Sequence, residues 1–168
     1  DRKGELVVYP KYEALEHLDN SSYFKASNGF YHGVIDASGR IIVPIEYDYI
    51  GRMREDIIVA RKDGVYGCFD KSGRNIVPFE YQEIKEYVGG MARICEKGRY
   101  GFIDKDGEKI VSPYYDAVEN FSEGCAKVVA KGKAGFVKLN QDSGLVKEEW
   151  VVFPMYDAAG PFSCGPAP

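Results

Sequence analysis

Residues 100–116 read YGFIDKDGEKIVSPYYD, and related runs occur earlier in the chain at residues 31–40 (YHGVIDASGR) and 66–74 (YGCFDKSGR). Equivalent residues within the runs recur with a constant spacing of 34 residues. Repetition at a fixed period indicates a fold built from equivalent units, each of which stacks on its neighbour. The residues that share this spacing are Gly33, Gly67, Gly101 and Gly135, and Tyr47, Tyr81 and Tyr115.

The flanking sequence contains further parts of the same unit. Residues 4–15 (GELVVYPKYEAL) match residues 107–118 (GEKIVSPYYDAV), and the last copy carries seven extra residues between Gly135 and Tyr156. We therefore expect a single repeat array over residues 1–168 that begins and ends within a unit, as a fragment of a longer protein would. Its predicted parts are a partial repeat at 1–30, repeats at 31–64, 65–98 and 99–132, and a fourth repeat at 133–168 with an expanded hairpin at 138–152.

The residue types within each unit favour strands over helices. Every unit contains several glycines and at least one proline, which destabilise helices. Short runs of Val, Ile, Tyr and Phe lie between turn signals. In residues 65–99 we predict three antiparallel strands, with a D-x-x-G turn after the first, a proline near the end of the second and an irregular crossing segment before the third. The predicted fold is all-β, with tandem repeats of about 34 residues arranged as stacked hairpins or a curved β-array. A propeller-like closed array is the alternative.

Composition excludes several classes of ligand. The 168 residues include 22 Lys and Arg against 26 Asp and Glu, a net charge of -4, with no basic cluster to neutralise nucleic-acid phosphates. We therefore expect no nucleic-acid partner. No apolar stretch approaches the ~18 residues of a membrane helix, so we expect no membrane insertion. The four cysteines form no C-x-x-C pair. We expect mostly free, buried thiols, no metal site and no cofactor.

The polar and aromatic residues that recur with the repeat have structural explanations. The repeated tyrosines suit a core position better than a ladder of ligand-stacking rings, because a feature of every unit serves packing. No motif of a catalytic nucleophile or a phosphate loop occurs, and His17 and His32 are isolated. The chain is therefore not expected to be an enzyme. The recurring acids are predicted turn caps: Asp36, Asp70 and Asp104 in D-x-x-G turns, and Glu13, Asp48, Asp116 and Asp157 after the tyrosines.

Three aromatic residues are the candidates for a binding site. Trp150, the single tryptophan, lies in the expanded segment at residues 139–153. Insertions in repeat arrays project from one face and often carry binding, and Trp is the residue type that most often anchors an interface. The alternative is that Trp150 packs within its strand. The other two candidates are Tyr114 and Tyr49.

The run at residues 100–116, followed by Phe121-Ser122-Glu123-Gly124-Cys125-Ala126, resembles a WG repeat. The consensus of that family contains Trp-Gly, an Asp, a turn Gly, Ile-Pro, Tyr-Asp and Phe-Ser-Glu-Gly-Ala. The Trp of the pair is replaced here by His32, Tyr66, Tyr100 and Ala134. The resemblance implies an all-β repeat array that binds something and supplies no catalytic residues. It also implies a bacterial protein, of a family often exported to the periplasm or the cell surface.

Three functions follow from these observations. The first is a non-catalytic binding or scaffold module that docks a protein partner or a neighbouring domain of its own parent protein, because repeat arrays offer extended, regular surfaces. The second is a glycan- or cell-wall-binding module that uses Tyr and Trp faces. The third is a hydrolase whose carboxylates converge only in three dimensions. A row of solvent-facing tyrosines would favour glycan binding, whereas buried tyrosines would favour a scaffold.

Overall fold

The computed structural model describes residues 12–19, 22–121, 124–140 and 147–156, with the backbone alone at 139–140, 147–153 and 156. Within these ranges every regular element is a β-strand, so the all-β prediction is confirmed. The strands are β1 (Ala14–His17), β2 (Tyr23–Ser27), β3 (His32–Asp36), β4 (Ile41–Tyr47), β5 (Tyr49–Arg54), β6 (Ile57–Lys62), β7 (Val65–Asp70), β8 (Asn75–Tyr81), β9 (Glu83–Ile84), β10 (Met91–Glu96), β11 (Arg99–Asp104), β12 (Lys109–Tyr115), β13 (Ala117–Val118), β14 (Cys125–Ala130), β15 (Lys133–Asn140) and β16 (Lys147–Tyr156).

The chain divides into two compact units, Asp1–Val88 and Gly89–Pro168. The first unit contains two four-stranded sheets, β1–β4 and β5–β8, followed by β9. In the second unit β10, β11 and β12 are antiparallel neighbours, and β13–β16 form a four-stranded sheet. Strands lie in each sheet in the order of the sequence, so each is paired with its predecessor. The described part of the chain contains no helix that could span a membrane.

Each complete sheet has four strands, which is the number in a propeller blade, and the prediction of three strands per unit is wrong. The additional strand is clearest in β5, which pairs with β6 and contributes Ile50 to the core. Its register with β6 is irregular between Ile50 and Met53, and Gly51 lies inside that interval. The irregularity breaks the alternation of apolar and polar residues by which a strand is recognised in a sequence.

Tight turns with positive φ connect the second and third strands of three sheets. The central residues are Asp63 and Gly64, Lys97 and Gly98, and Lys131 and Gly132, and all six have φ between 51° and 83°. Positive φ at both central positions is the requirement of a type I′ hairpin, whose twist matches that of the flanking strands. In the first sheet the corresponding loop is longer, and it presents Phe30 with 87% of its surface exposed.

A bulge in the fourth strand of each sheet explains the glycines that recur every 34 residues. Between His32 and Val34 the third strand advances by two residues, while its partner β4 passes from Tyr47 to Val43. The same two-to-four register shift occurs in the other three sheets. A Cβ added at Gly33 would lie 2.5 Å from the Val43 carbonyl oxygen, and one at Gly101 would lie 2.3 Å from that of Val111. The bulge therefore leaves space only for glycine.

The tyrosines with the same spacing are buried, as the sequence predicts. Tyr47 is 7% exposed, and Tyr81 and Tyr115 are 2% exposed. In the first unit the ring of Tyr47 stacks on Phe79 and meets Phe69 edge-on, with centroids 5.3 and 5.4 Å apart. Tyr47 thus joins the core between the two sheets of this unit. The core residues are Leu18, Val34, Ile42, Val43, Tyr47, Ile50, Ile58, Ala60 and Phe69 in the first unit, and Phe102, Ile110, Val111, Tyr115, Val118, Ala126, Val128 and Val137 in the second.

The three cysteines that the structure describes are buried, and Cys164 lies outside the described residues. Cys68 and Cys95 are buried thiols that form no disulfide, as expected. Burial raises the pKa of the Cys68 thiol to about 12, against a weaker lowering effect from a hydrogen bond with Tyr87. Cys125, in contrast, forms a disulfide bond. The expectation of free thiols is therefore wrong at Cys125, because spacing in the sequence contains no information about which thiols approach each other.

We expect Gly33→Ala to lower the free energy of unfolding by about 3 kcal/mol, because the new Cβ would overlap backbone oxygens that cannot move independently of the bulge. The matched control is Gly51→Ala, whose Cβ would have its nearest neighbours at 3.3 Å. We expect that variant to lose less than about 1 kcal/mol. Urea denaturation of both variants measures the difference. Equal losses of unfolding free energy in the two variants would show that the close backbone contact at Gly33 does not require glycine.

Candidate functional site

Strand β5 places two polar side chains outside the core and fixes one of them. Ile50 points into the core, while Tyr49 is 43% exposed and Arg52 is exposed. The ring of Tyr49 lies over Gly51, since a Cβ added at Gly51 would be 3.3 Å from the Tyr49 hydroxyl and 3.4 Å from its Cε1. The same ring meets Tyr66 edge-on, with centroids 6.2 Å apart. Tyr49 is therefore an exposed aromatic side chain held in place by its neighbours.

Tyr49 and Arg52 belong to the wall between two depressions in the first unit. One, of about 540 Å³, extends over Tyr66 and residues 82–86. The other, of about 430 Å³, extends over residues 16–19 and Lys25. Both are lined by Tyr49, Gly51, Arg52 and Glu86. We call the two depressions and their shared wall the β5 groove.

Ion pairs surround the β5 groove. Glu16 pairs with Lys25 at 3.0 Å, Glu83 pairs with Lys85, and Glu86 pairs with Arg54 at 3.3 Å. The hydrogen bond from Lys25 holds the pKa of Glu16 below its usual value, and Arg52 adds a smaller Coulombic effect. No ion pair or hydrogen bond of Arg52 is found among the residues that the structure describes.

Of the acids after the repeated tyrosines that were predicted as turn caps, Asp48 and Asp116 form ion pairs with arginines. Asp116 also accepts a hydrogen bond from the backbone N–H of Gly132 at 3.4 Å, and Asp157 lies outside the described residues. Arg61 Nε donates to Asp48 Oδ1 at 2.6 Å, and this hydrogen bond raises the pKa of Arg61. The guanidinium of Arg61 also lies 5.8 Å from the centre of the Tyr66 ring, within the range of a cation–π contact. Asp116 pairs with Arg99 in the second unit. Each arginine is more than ten residues away from its acid in the sequence, so no local sequence pattern reveals these pairs.

Tyr114 lines a different depression, in the second unit. It is 72% exposed and projects from β12. The depression has a volume of about 500 Å³. Its other lining residues are Arg99, Pro113, Tyr115, Ala130, Lys131 and Pro154. The predicted candidates Tyr49 and Tyr114 are thus both exposed. Tyr49 lines the two depressions of the first unit, and Tyr114 lines a depression of the second unit.

The backbone of Trp150 lies in β16, opposite Val137 of β15. The two strands that pair here are long, Lys133–Asn140 with Lys147–Tyr156. The side chain of Trp150 and residues 141–146, within the predicted expanded hairpin, lie outside the described part of the chain. Whether Trp150 contacts a partner or packs in its strand remains a prediction.

The D-x-x-G acids are turn caps, as predicted. Asp36 Oδ1 accepts hydrogen bonds from the backbone N–H groups of Ser38 and Arg40, at 2.9 and 3.0 Å, and from the Ser38 hydroxyl at 2.5 Å. The Ser38 hydroxyl bond has the largest effect on the pKa of Asp36, which falls to about 2. Asp70 is capped in the same way. Burial raises the pKa of Asp70, but hydrogen bonds from Ser72 and Arg74 outweigh burial and lower it to about 2. Among the described residues no cluster of three or more His, Cys, Asp or Glu could hold a metal ion.

Sequence reasoning missed Arg52 and Glu86, although one signal was present. Arg52, Glu86 and Asn120 occupy the same position in successive repeats. Packing positions such as Gly33 and its copies do not change, whereas this position changes charge in each copy. Variation between internal copies therefore distinguishes an exposed position from a structural one.

We expect Asp70→Asn to remove part of the dependence of stability on pH. The pKa of Asp70 is about 2 in the folded chain, against an ordinary value of 3.8 for the unfolded chain. The Asp70 carboxylate therefore stabilises the fold above pH 4, and this stabilisation is lost as the pH falls towards 2. The difference in unfolding free energy between wild type and Asp70→Asn should shrink over that interval, as measured by urea denaturation at each pH. A difference that stays constant from pH 5 to pH 2 would contradict the capping role.

Comparison with solved structures gives matches of low sequence identity. The chain is similar to the N-terminal domain of Nup159, with 12% identity, a TM-score of 0.44, and coverage of 86% of this chain and 45% of that one. It is similar to Hsv2 of Kluyveromyces lactis with complete loop 6CD, with 13% identity, a TM-score of 0.48, and coverage of 92% and 50%. A second Hsv2 structure matches with 10% identity and a TM-score of 0.44, over 79% and 48%. The chain thus spans half or less of the length of these structures.

No curated protein sequence matches the chain. A family model described as "WG containing repeat" matches three consecutive segments, at residues 33–66, 66–100 and 100–133. These segments cover more than half of the sequence. Each contains one bulge with its glycine and its buried tyrosine. The chain belongs to the WG containing repeat family.

Proposed function

We propose that this chain is a non-catalytic binding module that docks a protein partner through the β5 groove. The observation that carries the proposal is the exposed, fixed ring of Tyr49 beside Arg52, in a wall shared by two depressions. Tyr and Arg are two of the three residue types that dominate interface energetics, and a ring already held in place loses little conformational entropy on binding. The surrounding ion pairs resemble the polar rim of an interface.

The position of the repeated tyrosines supports a protein partner over a glycan. A stacking ladder requires rings that face solvent in successive units, whereas Tyr47, Tyr81 and Tyr115 are buried. The turn carboxylates likewise serve the fold, since those of Asp36 and Asp70 are occupied by backbone N–H groups. These groups are unavailable for paired-carboxylate hydrolysis, so the hydrolase is the weakest of the three functions.

The proposal predicts that Tyr49→Ala strongly reduces the amount of partner that the chain captures. Wild-type chain and variants are immobilised, exposed to a lysate of the source organism, and the retained proteins are quantified by mass spectrometry. A partner that binds at the β5 groove should be retained near stoichiometrically by wild type and reduced at least tenfold by Tyr49→Ala, since a central aromatic anchor contributes ~2 kcal/mol or more.

The matched control is Tyr31→Ala, which removes a tyrosine of similar exposure, 50%, that lines neither depression. It should retain the partner. Tyr114→Ala in the same assay tests the depression of the second unit. Equal retention by wild type and Tyr49→Ala would exclude the β5 groove. Depletion of the chain by purified cell wall, without any retained protein, would favour the glycan-binding function.

We also propose that the chain works in an oxidising compartment. The disulfide bond at Cys125 supports this location, because disulfides persist in exported proteins and are rare in the cytosol. Trapping free thiols with a maleimide in intact cells, before denaturation, measures the state of Cys125. We expect Cys125 to be unlabelled until a reductant is added, whereas labelling without reductant would contradict an exported location.

A further inference from the structure

We infer that the β5 groove selects its partner through a single acidic side chain, presented by an extended segment, that pairs with Arg52 beside the ring of Tyr49. This inference rests on the proposed function and specifies the chemistry of the partner. It depends on the distribution of charge, on the fixed geometry of Tyr49 and on the shape of the groove.

The charges that line the groove are neutralised within the chain, with two exceptions. Glu16, Glu83 and Glu86 each have a basic partner within the first unit. In the described part of the chain, Arg52 and Asp19 are the lining residues of the groove whose charge has no ion pair. Arg52 lies in the wall common to both depressions, whereas Asp19 lines only the second. Arg52 is therefore the charge that a segment crossing the groove would meet whichever depression it enters.

Glu16 compensates Arg52 only in part. The main interactions of the Glu16 carboxylate are a hydrogen bond and an ion pair with Lys25, and Arg52 acts on it through a weaker Coulombic effect. The guanidinium of Arg52 thus keeps its planar set of N–H donors available, and these match a carboxylate in a bidentate geometry. A carboxylate from the partner would complete the pattern already formed by the neighbouring ion pairs.

The two depressions share one wall, so an extended peptide that crosses the wall has a depression on either side of it. Alternate side chains of an extended segment point to the same side, about 6.5–7 Å apart. We assign residues i and i+2 of the segment to the two depressions, with the intervening backbone over Tyr49. The ring of Tyr49 lies over Gly51 and meets Tyr66 edge-on. It would pack against the apolar part of the segment without first being ordered.

The same charges disfavour a polyanion. Glu16, Asp19 and Glu86 line the groove close to Arg52, and the whole chain carries a net charge of -4. A nucleic acid or a polyuronate would bring several negative charges against these carboxylates, whereas a peptide with one acid among neutral residues would not. The groove is therefore complementary to a ligand with a single carboxylate, and not to one with many negative charges.

The test uses acetylated and amidated nonapeptides with neutral flanking positions and a fixed central Glu, Gln or Lys. The full chain is immobilised, and retained peptides are quantified by mass spectrometry. We expect wild type to enrich Glu-centred over Gln-centred peptides roughly five- to tenfold, as for one charge-assisted hydrogen-bonded contact. Arg52→Glu should reverse the preference towards Lys-centred peptides. Arg52→Lys should keep the preference for Glu but reduce it, because Lys lacks the bidentate geometry.

The control is Arg40→Glu, which makes the same charge change at an exposed arginine outside the groove, with 74% of its side chain exposed. It should behave as wild type. Glu enrichment that persists in Arg52→Glu, or that is lost in Arg40→Glu, would overturn the inference. Retention of all three peptide sets alike, with loss in Tyr49→Ala, would overturn the selection of an acid and leave the proposed docking function intact. Retention of alginate in place of any peptide would overturn both.

Discussion

The fold depends on one close approach of two backbones, repeated in successive sheets. At Gly33, Gly67 and Gly101 the neighbouring strand comes so near that a Cβ would lie 2.3 to 2.8 Å from its atoms. Two residues of the third strand there span four of the fourth, and this shift brings Tyr47 opposite His32 and Tyr81 opposite Tyr66. Without the shift, regular antiparallel pairing from Val34 and Val43 would place Ile45 rather than Tyr47 opposite His32. The spacing of 34 residues in the sequence is the spacing of this contact.

The bulge also determines the burial and the pairing of the residue before each glycine, which is Trp in the family consensus. In this chain His32, Tyr66 and Tyr100 occupy the position, and each is half-buried and paired with a buried tyrosine. Tyr66 is held by the bulge on one side and contacts Tyr49 and Arg61 on the other. A position defined by the packing of the repeat thereby supplies one wall of the β5 groove. The exposed ring of Tyr49 is therefore packed against a residue that the repeat itself holds in place.

Much of the repeat could be predicted from single residues, because turns and close approaches impose local requirements. The D-x-x-G caps, the tight turns with positive φ and the buried tyrosines all follow from residue type and spacing. Strand β5 could not be predicted, since its irregular register with β6 at Gly51 removes the alternation that marks a strand. Variation between copies marks the position of Arg52 as exposed but does not show its charge to be unpaired. That property depends on the ion pairs of the described residues around it, which join residues far apart in sequence, such as Arg54 and Glu86.

The division of roles between positions explains how a repeat array can vary its surface without a change of fold. Stacking and register depend on the glycine, the bulge and the tyrosine, and these stay the same from copy to copy. The outward-facing positions in the first strand and just after it do not take part in this packing. One of them carries Tyr49, Glu83 and Ala117 in successive copies, and another carries Arg52, Glu86 and Asn120. A substitution there leaves the buried core unchanged. Charged residues of neighbouring copies can also pair with each other, as Arg54 and Glu86 do at the edge of the groove. The surface of such a chain therefore differs from copy to copy, whereas the packing of its core requires the copies to be alike.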